Sequence, residues 1–128
     1  MKKAYTALLV DDDKFLLGMY QKKFEKFGVK AEMSLGPQEA LTKLRGGAAY
    51  DILVLDIIMP GMDGIELLKT IRDEKLADKS IVVMLTNESA SSRIEDAKSL
   101  GVAGYIVKAT SIPSEVVEEI IKIADSKS

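Results

Sequence analysis

Short apolar runs alternate with amphipathic segments along the chain. Tyr5–Val10, Val29–Met33, Ile52–Leu55, Ile81–Leu85 and Ala103–Val107 read as strands. The unbroken Ile-Leu-Val-Leu at 52–55 suits a strand covered on both faces. Between the strands the period lengthens to that of a helix. Phe15–Phe27 puts Leu16, Met19, Tyr20, Phe24 and Phe27 on one stripe with Lys22, Lys23 and Lys26 outside, and Gly28 stops it. Pro37 fits the first turn of a second helix carrying Ala40, Leu41 and Leu44 and ended at Gly46-Gly47. Ile65–Glu74 turns Ile65, Leu68 and Ile71 inward, and Ser89–Leu100 does the same with Ile94, Ala97 and Leu100. Ser114–Ala124 carries Val116, Val117, Ile120 and Ala124 inward, and Asp125–Ser128 reads as a polar tail.

Repeated alternation of this kind predicts an α/β fold, a parallel five-stranded sheet wrapped by helices on both faces through right-handed crossovers. The length of 128 residues predicts a single domain over 1–128. Charge and composition narrow the chemistry. A net charge of −2 gives no electrostatic footprint for nucleic acid or an anionic membrane. The chain has no cysteine and no histidine, so it lacks thiolate chemistry, the usual general base and the commonest metal ligand. Any metal must then be held by oxygen, which points to a hard cation such as Mg²⁺. No long apolar stretch follows Met1-Lys2-Lys3 and none has bilayer-spanning length, so the cytoplasm is the expected location.

The candidate chemistry gathers at strand ends. Asp11 and Asp12 follow the first strand, Asp56 the third, Thr86 the fourth and Lys108 the fifth. Parallel strands open their C-termini onto one edge, and ligands bind there at the topological switch point. Asp11, Asp12 and Asp56 flank that point if the strand order is 2-1-3-4-5. Three carboxylates in one crevice repel, and a divalent cation relieves the repulsion. An aspartate at such a junction is also an ordinary helix cap, and one of Asp12 and Asp13 is expected to do only that. Asp56 precedes a Pro- and Gly-punctuated loop, Met59–Gly64, which leaves its carboxylate free to accept a phosphoryl group as an acyl phosphate. Thr86 can donate to a phosphoryl oxygen or cap a turn. Lys108 can pair with a phosphoryl oxygen or with Asp56, and its place after Tyr105-Ile106-Val107, a strand expected to be buried, is unusual for a surface lysine.

At these residues the chain resembles the receiver domain of bacterial two-component response regulators, of the single-domain chemotaxis type. The matching pieces are Leu8-Leu9-Val10-Asp11-Asp12-Asp13, the segment from Asp56 to Gly64, Thr86, and Gly104-Tyr105-Ile106-Val107-Lys108. The resemblance implies a flavodoxin-like (βα)₅ three-layer sandwich with strand order 2-1-3-4-5. It implies that Asp56 takes a phosphoryl group from a sensor histidine kinase or a phosphotransfer protein. It implies Mg²⁺ held by Asp12 and Asp56 directly, by Asp11 mainly through water, and by the backbone carbonyl of Ile58. Thr86 and Lys108 would contact the acyl phosphate and Tyr105 would be the switch residue. The face formed by helix four, strand five and helix five would then change shape for a downstream protein target or effector domain, and a phosphorylation-dependent homodimer is compatible with it. Such a protein catalyses only its own phosphorylation and dephosphorylation.

Two positions depart from the family pattern. Family members commonly carry proline after the lysine, joined by a cis peptide, where this chain has Ala109, and a small residue after the threonine, where it has Asn87. Ile58 and Glu88 stand where the family tunes acyl-phosphate lifetime. Two other readings compete. In a haloacid-dehalogenase-like phosphatase, Asp11 would be the nucleophile and Asp13 the acid. In a degenerate receiver, the domain would only bind partners.

Overall fold

The structure is a computed structural model and describes residues 4–127. Met1, Lys2 and Lys3, named above for the absence of a long apolar stretch after them, and Ser128 of the polar tail lie outside the described residues. The strands are β1 (Thr6–Asp11), β2 (Lys30–Leu35), β3 (Ile52–Leu55), β4 (Ile81–Thr86) and β5 (Gly104–Val107). The helices are α1 (Lys14–Lys26), α2 (Pro37–Arg45), α3 (Gly64–Asp73), α4 (Ser91–Ser99) and α5 (Pro113–Lys127). All strand pairs are parallel and the order is β2-β1-β3-β4-β5, the flavodoxin-like arrangement expected from the sequence. Consecutive strands lie side by side except where the chain crosses β1 to reach β3, and that reversal opens a crevice at the C-terminal ends of β1 and β3.

Side chains alternate across the sheet and feed two cores. Leu8, Val10, Leu53 and Leu55 pack with α2 and α3 residues such as Leu41, Leu68 and Ile71. Ala7, Leu9, Ile52 and Val54 pack on the other face with Leu17, Tyr20 and Phe24 of α1 and Val117 and Ile120 of α5. Ile52, Leu53 and Leu55 are wholly buried, as a central strand with helices on both sides requires.

Several boundaries differ from the sequence reading. Asp11 and Thr86 are the last residues of β1 and β4, inside the hydrogen-bonded ladder instead of beyond it. In α1 the buried stripe is Leu17, Tyr20 and Phe24, while Phe27 is 43% exposed, because the helix ends at Lys26 and the stripe reaches the sheet one position later than drawn. β2 extends to Leu35, α4 spans only Ser91–Ser99, and α5 runs through the supposed tail to Lys127. In α4 only Ala97 is buried, with Leu100 packed at the margin. β5 is an edge strand and every residue in it is half-buried, so it is not the buried strand that was expected.

Candidate functional site

The crevice at the strand ends is built by backbone first. Asp56 N–H donates to Val10 C=O at 3.0 Å and Gly36 N–H to Asp11 C=O at 2.9 Å, which fixes the end of β1 beside the ends of β3 and β2 respectively. The following loop then turns sharply. Gly61 takes a positive φ of 81°, open to glycine at no steric cost. Gly64 N–H donates to Ile57 C=O at 2.9 Å, and a Cβ on Gly64 would collide with the Asp56 carbonyl oxygen. Asp63 caps α3 through a reciprocal pair, its carboxylate accepting from Glu66 N–H while Glu66 accepts from Asp63 N–H. The loop therefore holds Asp56 at a fixed height on the rim.

Carboxylate oxygens of Asp11, Asp12 and Asp56 lie within 4.8 Å of one another. Asp11 and Asp56 are each 6% exposed, whereas Asp12 faces solvent. At such a spacing two unit charges repel by about 3 kcal/mol at an effective dielectric near ~20. Lys108 answers part of that charge, its Nζ donating to Asp11 Oδ2 at 2.6 Å and to Asp56 Oδ2 at 3.1 Å. The other oxygen of each acid rests on backbone: Asp11 Oδ1 accepts from Asp13 N–H at 3.1 Å and Asp56 Oδ1 from Ile58 N–H at 3.2 Å. Burial by itself would lower the Lys108 pKa, but the hydrogen bond to Asp11 and the charges of Asp56 and Asp11 outweigh it and hold the ammonium above its ordinary value. Three carboxylates against one ammonium still leave two negative charges uncompensated. An all-oxygen, anionic donor set of this size fits a small hard divalent cation such as Mg²⁺.

The helix cap resolves between the two candidates. Asp13 Oδ1 accepts from Leu16 N–H at 3.1 Å and closes the start of α1, which leaves Asp12 free at the rim. Thr86 is fully buried, and its Oγ1 accepts from Glu88 N–H at 3.2 Å. The Glu88 carbonyl in turn accepts from the Tyr105 hydroxyl at 2.5 Å, so one peptide segment joins Thr86 to Tyr105. Burial, then the charge of Glu88, raises the Tyr105 pKa. Among the described residues there is no cis peptide, so Lys108-Ala109 is trans. Lys108–Thr110 coils into a 3₁₀ turn instead, closed by Ser111 Oγ donating to Val107 C=O at 2.8 Å. Asn87 is exposed and Ile58 shows 55% of its surface beside Asp56.

Sequence reading overlooked two residues. Tyr20 was a position on an apolar stripe, yet its ring lines a small cavity with Asp11 and Asp56. Arg93 on α4 reaches Asp63 at the start of α3. Neither leaves a local signal, because each depends on what the fold brings alongside.

The family model of the response regulator receiver domain matches residues 7–121. The heme response regulator HssR of Staphylococcus epidermidis is 34% identical over 116 residues, covering 91% of this chain and 48% of that protein. The chain thus spans about half the length of the curated relative it matches. Among solved structures, the receiver domain of Francisella response regulator 1452 superposes with a TM-score of 0.82 at 29% identity, covering 97% of this chain and 99% of that one. The chemotaxis protein CheY4 of Vibrio cholerae gives 0.83 at 25% identity, covering 94% and 99%.

Proposed function

The chain belongs to the response regulator receiver domain family, and from that premise we propose that Asp56 is its phosphoacceptor, loaded by a sensor histidine kinase or a phosphotransfer protein. The single observation that best supports the reading is the pairing of one lysine with two buried acids, Lys108 between Asp11 and Asp56. A carboxylate oxygen of Asp56 attacks the phosphorus of a phosphohistidine. The phosphorus–nitrogen bond breaks, its electron pair leaves with the imidazole, which takes a proton from solvent, and the phosphoryl group becomes an acyl phosphate on Asp56. Asp12 and Asp56 would hold Mg²⁺ directly, Asp11 mainly through water and Ile58 through its backbone carbonyl, and the bound ion supplies neutralisation of charge on the phosphoryl oxygens.

Lys108 is the moving part at the rim. With its pKa raised it stays cationic, and it transfers one N–H from the acids to a phosphoryl oxygen. Thr86 does the same with its hydroxyl, giving up the Glu88 N–H it accepts in this structure. The loop that loses this bond also receives Tyr105, so the change reaches β5 and the neighbouring faces of α4 and α5. The phosphoryl group must favour one arrangement of that face over the other for a protein target or effector domain to read it. Exposed Ile58 cannot orient a hydrolytic water, and the Glu88 carboxylate accepts from the Ala90 N–H at 3.0 Å in this structure, so it would have to leave that bond to do so. No helix among the described residues is long and apolar enough to cross a membrane, and a cytoplasmic setting suits a partner kinase of this class.

The engagement of Asp13 as the α1 cap weighs against the phosphatase alternative, which needs that residue free as an acid. Incubation with Mg²⁺ and a small acyl phosphate, followed by intact mass, is the test. A gain of one phosphoryl group that disappears in Asp56→Ala is expected; no gain in the unaltered protein would leave only a partner-binding module.

A further inference from the structure

Beneath the acidic rim lies a cavity of about 20 Å³, lined by Asp11 and Asp56 above and by Tyr20, Leu17, Leu9, Val54 and others around it. Tyr20 sits two turns into α1 and is only 5% exposed. Among the described residues its hydroxyl makes no hydrogen bond to protein, and it is not fully enclosed, since the fully buried polar side-chain atom without a partner is Ser34 Oγ, so the phenol oxygen is within reach of water. Burial raises its pKa, the nearby Lys108 lowers it and Asp11 raises it, so the phenol lies within electrostatic range of the same charges that form the site. A space of that size admits one water molecule, provided two or more polar groups hold it. Tyr20 and the two carboxylates are such groups.

We propose, building on the phosphoacceptor reading above, that Tyr20 is a positioning residue for the acidic site, its hydroxyl holding Asp11 from below through a single water in the shared cavity. In this structure Asp11 has two partners, Lys108 at 2.6 Å and the Asp13 N–H at 3.1 Å. When Lys108 turns to a phosphoryl oxygen, Asp11 loses the shorter of these. Tyr20 then supplies the remaining side-chain support, and a buried carboxylate left to rotate would meet the cation with poorer geometry. An apolar residue of similar size would fill the core equally well and give no such support. The hydroxyl, not the ring, is what the proposal concerns.

Tyr20→Phe removes one oxygen and keeps the packing. Mg²⁺ affinity by calorimetry is expected to fall by about three- to tenfold, the loss of one modest hydrogen-bonded link. The Mg²⁺ concentration giving half-maximal phosphorylation by a small acyl phosphate should rise by the same factor while the limiting rate is unchanged, and the melting temperature without Mg²⁺ should stay that of the unaltered protein. Tyr20→Leu, which loses the ring too, should melt lower and bind Mg²⁺ no more weakly than the Phe variant. Equal Mg²⁺ affinity in Tyr20→Phe and the unaltered protein would overturn the proposal and leave Tyr20 a core residue. Failure of the unaltered protein to take up phosphorus while it still binds Mg²⁺ would overturn the phosphoacceptor reading instead, and the calorimetric comparison would still decide the role of Tyr20. If the unaltered protein binds no Mg²⁺, both fall.

Discussion

Arg93 Nη2 lies 2.5 Å from Asp63 Oδ2, tying the third residue of α4 to the residue that caps α3. Asp63 closes the loop that begins at Asp56, so this pair links the acid rim to α4 by a route separate from Thr86 and Tyr105. α4 needs the tie, since it starts without a side-chain cap and buries only Ala97. Its far end is held by Arg72 Nε donating to Leu100 C=O at 3.1 Å. Arg93→Met is expected to cost about 1 kcal/mol or less, because the pair is partly solvated. Amide hydrogen exchange should rise across α4 and leave α1 and β1 unchanged. Uniform exchange across the molecule would count against a local tie.

Crowded like charges make the site a source of instability that its function requires. Asp12→Asn removes an exposed acid that makes no compensating hydrogen bond among the described residues. It should stabilise the Mg²⁺-free protein by about 1 kcal/mol through relief of repulsion. Mg²⁺ should raise the melting temperature of the unaltered protein by mass action and raise that of the variant far less. A variant that melts lower without Mg²⁺ would mean that repulsion is not the governing term.

Thr86 serves the loop in this structure and is proposed to serve the phosphoryl group later. Thr86→Ala leaves the Glu88 N–H without its acceptor, at a cost of about 1 kcal/mol. Phosphoryl uptake should persist, since Asp56 and Lys108 are untouched. The amide NMR shifts of β5 and α4 that accompany uptake in the unaltered protein should shrink. Unchanged shifts would remove Thr86 from the relay.

Tyr50 gives a pH dependence remote from the site. Burial, then its hydrogen bond to Glu32 Oε1 at 2.8 Å, pushes its pKa up to about 12. A folded-state value above the ordinary 10.0 means the contribution is fully present below pH 10.0 and is lost as pH climbs toward about 12. The stability difference between the unaltered protein and Tyr50→Phe, from urea unfolding, should be constant to about pH 10 and shrink above it. A difference that grows with alkalinity would contradict the assignment.

What the sequence disclosed, and what it withheld, follows from the range of each interaction. The five strands were legible because apolar runs are local patterns, while their order came from the family resemblance, and Asp11, Asp56 and Lys108 converge as that order requires. The division of labour between Asp12 and Asp13 was not legible, because adjacent aspartates differ only in which way the first turn of α1 faces. Ala109 left the isomer of its peptide open until the 3₁₀ turn showed a trans route. Phe27 and Leu17 exchanged places because a stripe drawn from sequence carries no register against the sheet. Tyr20 looked like packing, for nothing within α1 reveals that Asp11 and Asp56 close the cavity it faces.

The central claim is that phosphorus is carried by the side chain at position 56. Borohydride reduction of the protein after treatment with Mg²⁺ and an acyl phosphate converts a phosphorylated aspartate to homoserine, and peptide mass spectrometry locates it. Homoserine at position 56 alone is the expected result; homoserine at position 11, or at no position, would contradict it.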